Sequence, residues 1–182
     1  MWVVLFHAPL IHVGSFGVDI FFVLSGFIIA HVTARDPRGF AAKRLIRVLP
    51  LYWLATLAVF AAARAAPALF AATDPSWLNL ARSLLFIPYA RPDGVVQPLL
   101  FLGWTLNYEL LFYAIFALAL AVGGTRASLV AVALLVALTM VGLAIPPDLT
   151  ALHFWTRPIL LEFALGIGVW RFWSAGRTFA PR

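Results

Sequence analysis

Glu109 lies in the middle of a long apolar run. A charged group at the centre of a membrane helix costs about 2.5 to 3.5 kcal/mol on insertion scales, so a carboxylate there needs a partner or a task. On a helix, Thr105, Glu109 and Tyr113 recur every four residues and bring a hydroxyl, a carboxylate and a phenol onto one stripe turned from lipid. Such a stripe can line a polar cavity, or it can be an interhelical hydrogen-bond knot that fixes packing. Spacing alone leaves both open.

His7 is a candidate general base, because an imidazole gains and loses a proton near neutral pH. Taken alone, with no partner nearby in the sequence, it is more simply an interfacial histidine bonded to a carbonyl. His7 and His12 are turned about 140° apart on a helix, which argues against a shared metal, and no metal is expected. Asp19 and Glu162 stand near the starts of their apolar runs, where interfacial solvation accounts for both. Lys43, Arg44 and Arg47 form one cationic face if residues 40–48 are helical. Guanidinium groups match phosphate oxygens in bidentate fashion, so this face could hold a nucleotide-like donor. Retaining the segment in the cytoplasm is its simpler role. Ser25-Gly26 inside a helix reads as a close helix contact.

The elements that must carry these groups are membrane helices. Of the 182 residues 64% are hydrophobic and 11% charged, against about 45 to 50% apolar in a soluble domain. The mean hydropathy is +0.99. A net charge of +6 invites a nucleic-acid reading, but the basic residues sit between apolar runs and not on a solvated face, so no nucleic-acid partner is expected. Cysteine is absent, which excludes disulfides, thiolate metal sites and a cysteine acyl-enzyme.

Trp2 to Val13 is too short to cross a bilayer, has no basic leader before it, and reads as the end of a helix. Gly17 to about Val32 spans. The connection after it holds Arg35, Arg38, Lys43, Arg44 and Arg47, five of the thirteen Lys and Arg, and is placed in the cytoplasm. Pro50 suits the first turn of the next helix, which continues to about Ala66. Trp77 to Tyr89 is either a short span or a re-entrant segment. Leu99 to Val122 and Ala127 to Ile145 span, Pro146-Pro147-Asp148 breaks the chain, and a last apolar run covers Ile159 to Trp173. Six tryptophans lie near the ends of these runs, as headgroup anchors do. If Trp77 to Tyr89 is re-entrant, Arg171, Arg177 and Arg182 fall on the cytoplasmic side, and the charge bias favours that arrangement.

Several stretches, taken in order, resemble one family. Phe6-His7-Ala8, Gly17 to Ile28, Arg44-Leu45-Ile46-Arg47 with Pro50-Leu51-Tyr52-Trp53, Trp104 to Glu109 with Phe112-Tyr113, and Pro158 to Gly166 are similar to motifs of the bacterial membrane acyltransferases, family 3. These enzymes decorate exopolysaccharide, O-antigen and related glycans, and the resemblance is closest to the exopolysaccharide-production branch. It implies an all-α polytopic transmembrane bundle of about five to six spans, part of a fold of roughly ten. The family's arginine upstream of the histidine falls before Met1, so a single domain over residues 1–182, incomplete at both termini, is expected.

The resemblance also implies roles. His7 matches the catalytic histidine, Asp19 the Gly-Val-Asp aspartate, Glu109 the membrane glutamate, and Arg44 with Arg47 the Arg-x-x-Arg pair tied to donor binding. Lys43 would join that pair on the donor phosphates, with Thr105 and Tyr113 facing the substrate. The implied reaction moves an acyl group, acetyl by preference, from acyl-CoA to a sugar hydroxyl of a cell-surface glycan, in the bacterial inner membrane and without a bound cofactor. The rival readings are a transporter or flippase of a polar glycan precursor, which would use the same intramembrane Glu and His, and an inactive truncated paralogue with a structural role.

Overall fold

A computed structural model of the protein describes residues 14–70 and 73–176. His7 and His12 lie outside the described residues, as does the expected helix end before Gly14. The described chain is helical, with seven α-helices: α1 Gly14–Arg35, α2 Phe40–Ala65, α3 Trp77–Leu84, α4 Gly103–Gly123, α5 Ala127–Gly142, α6 Thr150–Trp155 and α7 Leu160–Ala175. Three segments are long and apolar enough to cross a membrane: Phe16–Arg35, Phe40–Ala65 and Gly103–Gly142. The third is two helices, α4 and α5, parted by a short 3-10 turn in which Gly124 takes φ 50°, a left-handed backbone that ends a helix and suits glycine. The two apolar runs read there from sequence are therefore separate elements. Helices α5 and α7 have 16 residues each, or about 24 Å at 1.5 Å per residue, and by length alone each falls short of a bilayer core of about 30 Å.

One expectation is corrected in α2. Pro50 does not open a helix; it lies inside one that runs unbroken from Phe40 to Ala65. Proline fixes φ at a helical value and only removes one N–H, and in membrane helices neighbouring groups make good the lost bond. The Lys43, Arg44 and Arg47 face is thereby part of the membrane helix itself, within its first two turns.

The chain divides into two compact units. One contains the residues up to Phe40, Ala114–Met140 and those from Pro158 onward; the other contains Ala41–Tyr113 and Val141–Arg157. In the first, α1 and α7 are closely packed along their length. The Phe22 and Phe163 rings meet at a tilt with centroids 4.8 Å apart, and Trp173 lies against Phe27 at 5.7 Å and His31 at 5.4 Å. Contacts rise along both helices in the same sense, so the two run parallel. Gly26 and Gly166 allow the approach: a Cβ on Gly26 would overlap the Phe163 carbonyl oxygen, and one on Gly166 the Val23 carbonyl oxygen. The close contact expected at Ser25-Gly26 is this crossing.

In the second unit α3 answers the question that hydropathy left open. It has eight residues, about 12 Å, and cannot span. Its start is fixed by Ser76, whose Oγ accepts from Asn79 N at 3.3 Å. Phe60 packs on Trp77 at 4.9 Å, and the far end of α3 reaches Tyr52 and Trp53, whose side chains donate to the carbonyls of Ser83 (2.9 Å) and Leu84 (3.0 Å). The helix therefore runs beside α2 from the level of Phe60 to that of Trp53, about the middle of α2, and the chain turns back there. Irregular backbone at such depth must find internal partners. Ser83 supplies them: its Oγ accepts from Leu99 N at 3.0 Å and lies 3.4 Å from the Tyr89 hydroxyl. Burial pushes the Tyr89 phenol above its ordinary pKa, so it serves as a neutral partner.

Candidate functional site

In the second unit α4 runs antiparallel to α2. Gly103 sits against the Tyr52 ring, where a Cβ would come within 2.6 Å of Cε2, while farther along α4 Glu109 and Tyr113 lie within electrostatic reach of Arg44 and Arg47, near the start of α2. The Tyr113 hydroxyl donates to Glu109 Oε1. Tyr113 is buried, Glu109 and Arg44 are half-buried, and Lys43 and Arg47 are exposed. A carboxylate that apolar surroundings would reject is thus held by one phenol and faced by two guanidinium groups.

Thr105 shares the helix with Glu109 and Tyr113 at the expected spacing. Its hydroxyl donates to the Leu102 carbonyl at 3.0 Å, the local bond that Ser and Thr commonly make to the preceding turn. Of the two hydroxyls one turn from Glu109, it is that of Tyr113 that bonds to the carboxylate. On the same helix, Asn107 is buried and its Oδ1 is without a hydrogen-bond partner. Tyr108, fully buried beside it, donates to the Phe154 carbonyl at 2.7 Å and stacks on that ring at 4.4 Å. These two residues were quoted in the Trp104 to Glu109 motif but given no task, since their burial depends on α6.

In the first unit the Asp19 carboxyl lies close to that of Glu162, within electrostatic reach of it. Glu162 Oε2 is buried without a partner. From sequence both acids looked like solvated interfacial residues, and no spacing could pair them, because the parallel packing of α1 and α7 is what brings them together. Among the described residues no three His, Asp or Glu side chains gather as a metal site.

The family described as an acyltransferase domain, family 3, matches residues 1–181. The chain belongs to that family. Among its relatives is the exopolysaccharide production protein ExoZ of Rhizobium meliloti (strain 1021), 39% identical over 170 residues that cover 91% of this chain and 53% of the relative. Another is BcsY of Komagataeibacter xylinus, which is named as a proposed membrane-bound transacylase, 32% identical over 142 residues, 68% of this chain and 35% of that one. The chain thus spans about half the length of the first relative and about a third of the second. No solved structure matches it. Within the family frame, the motif residues that the structure describes fall on helices α1, α2, α4 and α7 and their approaches.

Proposed function

We propose that the chain is part of a multi-pass acyltransferase of the bacterial inner membrane that moves an acyl group, acetyl by preference, from acyl-CoA to a sugar hydroxyl of an exopolysaccharide or related glycan. The observation that carries this reading is family membership over residues 1–181, and the name of the Rhizobium relative favours a polysaccharide acceptor. The Glu109–Tyr113 pair beside Arg44 and Arg47 agrees with it, because a carboxylate in an apolar run and two guanidinium groups have no packing role that apolar residues could not fill better.

In this mechanism His7 takes the proton from the sugar hydroxyl as its oxygen attacks the thioester carbonyl, the C–S bond breaks, and the CoA thiolate leaves with that proton returned to it. Lys43, Arg44 and Arg47 hold the donor's phosphates. Glu109, set by Tyr113, and Asp19 orient the reacting groups, and Thr105 keeps its lone pairs for the substrate. The parallel course of α1 and α7 fits a topology in which α1, α4 and α7 run toward the cytoplasm and α2 and α5 away from it, with α3 re-entrant; Arg35, Arg44, Arg47 and Arg171 then share the cytoplasmic side.

Donor binding supplies the test. Replacing Arg44 and Arg47 together by Gln should raise KM for acyl-CoA by roughly tenfold to a hundredfold, as expected for the loss of charge-assisted hydrogen bonds. The rise should be much smaller for a short pantetheine thioester without the nucleotide phosphates. Equal rises for both donors would show that the pair serves only to set topology.

A further inference from the structure

At the end of the α1/α7 pair away from the carboxyls, a cavity of about 580 Å³ opens between the two helices, lined by His31, Ala34, Arg35, Trp170, Arg171 and Ser174 among others. Its volume lies in the range of small-ligand sites. The polar lining is cationic or neutral, with no carboxylate in it. Two of its groups are held in place: Arg171 donates through an Nη to Ser128 Oγ at 2.9 Å, and the His31 ring lies between Phe27, stacked at 6.1 Å, and Trp173, edge-on at 5.4 Å. The Arg171 side chain, held by that bond, is part of the cavity lining. A second cavity, of about 360 Å³, shares Ala34 and Trp170 with the first and is lined on its apolar side by Phe116 and Leu120.

We propose that the first cavity binds a phosphate ester, held by Arg35 and Arg171, with His31 and Ser174 as further donors. The carbonyl ends of α1 and α7 point to the same end of the pair and oppose an anion, each with about half a negative charge. Two full guanidinium charges outweigh them, and a phosphate accepts the planar fork of Arg better than any neutral head does. Arg35 closes a segment long enough to cross the membrane and is followed by the basic connection to Arg47, which puts the cavity at headgroup level. There the ester can be that of an anionic phospholipid whose tails lie along the apolar side of the second cavity, or that of a soluble molecule. The proposal does not depend on acyl transfer, and its failure would leave that reading untouched.

The test is native mass spectrometry of the full chain released from nanodiscs of equal parts phosphatidylglycerol and phosphatidylcholine. The unmodified protein should retain phosphatidylglycerol preferentially, and Arg35→Gln with Arg171→Gln should reduce that preference by roughly thirtyfold, from about one charge's attraction lost at each position. Arg126→Gln, which removes a charge at an exposed residue that is not among those lining either cavity, should leave it unchanged. Release of the lipid by millimolar inorganic pyrophosphate would assign the cavity to soluble phosphate esters, and lack of release to the lipid; either result upholds phosphate chemistry. Equal retention by the double Gln variant, or equal loss in Arg126→Gln, overturns the proposal. Should the double Gln variant fail to accumulate, Arg35→Lys with Arg171→Lys carries the test: it keeps charge but loses the fork, so partial loss supports the site and unchanged retention contradicts it.

Discussion

At the scale of single residues, the account turns on what holds Glu109. Tyr113→Phe removes its hydrogen-bond donor, and the unmet carboxyl should cost about 1 to 3 kcal/mol. This is expected as a lower Tm in detergent together with a reduced kcat. Glu109→Gln should reduce turnover by roughly tenfold to a hundredfold, from the loss of one hydrogen bond to a charged group, with little change in protein level. If instead Glu109→Gln lowers stability and leaves turnover intact, the pair is a packing knot. That Glu109 and Tyr113 share a face was legible in the sequence, because a spacing of four is a property of one helix; that they bond to each other was not. The local capture of the Thr105 hydroxyl by Leu102 was not, since spacing says which groups share a face but not which carbonyl takes a hydroxyl. The Asp19–Glu162 contact was illegible for a different reason: it depends on the packing of two helices drawn from distant parts of the chain.

At the scale of elements, the α1/α7 crossing rests on glycines whose absent side chains let backbone meet backbone. Gly166→Val should therefore lower the detergent Tm sharply, because its Cβ overlaps the Val23 carbonyl oxygen and overpacking of this kind costs about 1 to 3 kcal/mol or more. Gly168, two positions on in the same helix, faces open space; Gly168→Ala should be neutral or stabilise by up to about 1 kcal/mol through helix propensity. Equal effects at the two positions would deny the crossing. Apolar run lengths gave the helices α1, α2, α4, α5 and α7, because the bilayer imposes length directly on sequence. They could not place Pro50, which a membrane helix tolerates in its interior, nor decide whether Trp77 to Tyr89 crosses. The hydrogen bonds from Tyr52, Trp53 and Leu99 to Ser83 and Leu84 hold the segment where it turns back beside α2.

At the scale of the whole molecule, the positive charges and the parallel helices lead to one topology. The chain has no cysteine of its own, so single cysteines report cleanly. Ala42→Cys and Ala175→Cys should both resist a membrane-impermeant thiol reagent in intact cells, while Asp93→Cys, beyond the re-entrant helix, should react. Labelling at Ala175 with protection at Ala42 would contradict the parallel course of α1 and α7 relative to the membrane. The charge bias of the sequence favoured this arrangement without deciding it, because the balance turned on α3. Acyl transfer itself is the central claim, and its most direct measurement follows a labelled acyl group from acyl-CoA into an alkali-labile glycan ester. Membranes should carry this chain together with the remainder that its longer relatives possess, with and without His7→Ala. A positioned base contributes roughly 10²- to 10⁴-fold, so the account predicts ester formation by the unsubstituted protein and its loss in His7→Ala at equal protein level. Near-normal ester formation by His7→Ala, or movement of a glycan precursor across vesicles with no ester formed, would contradict it.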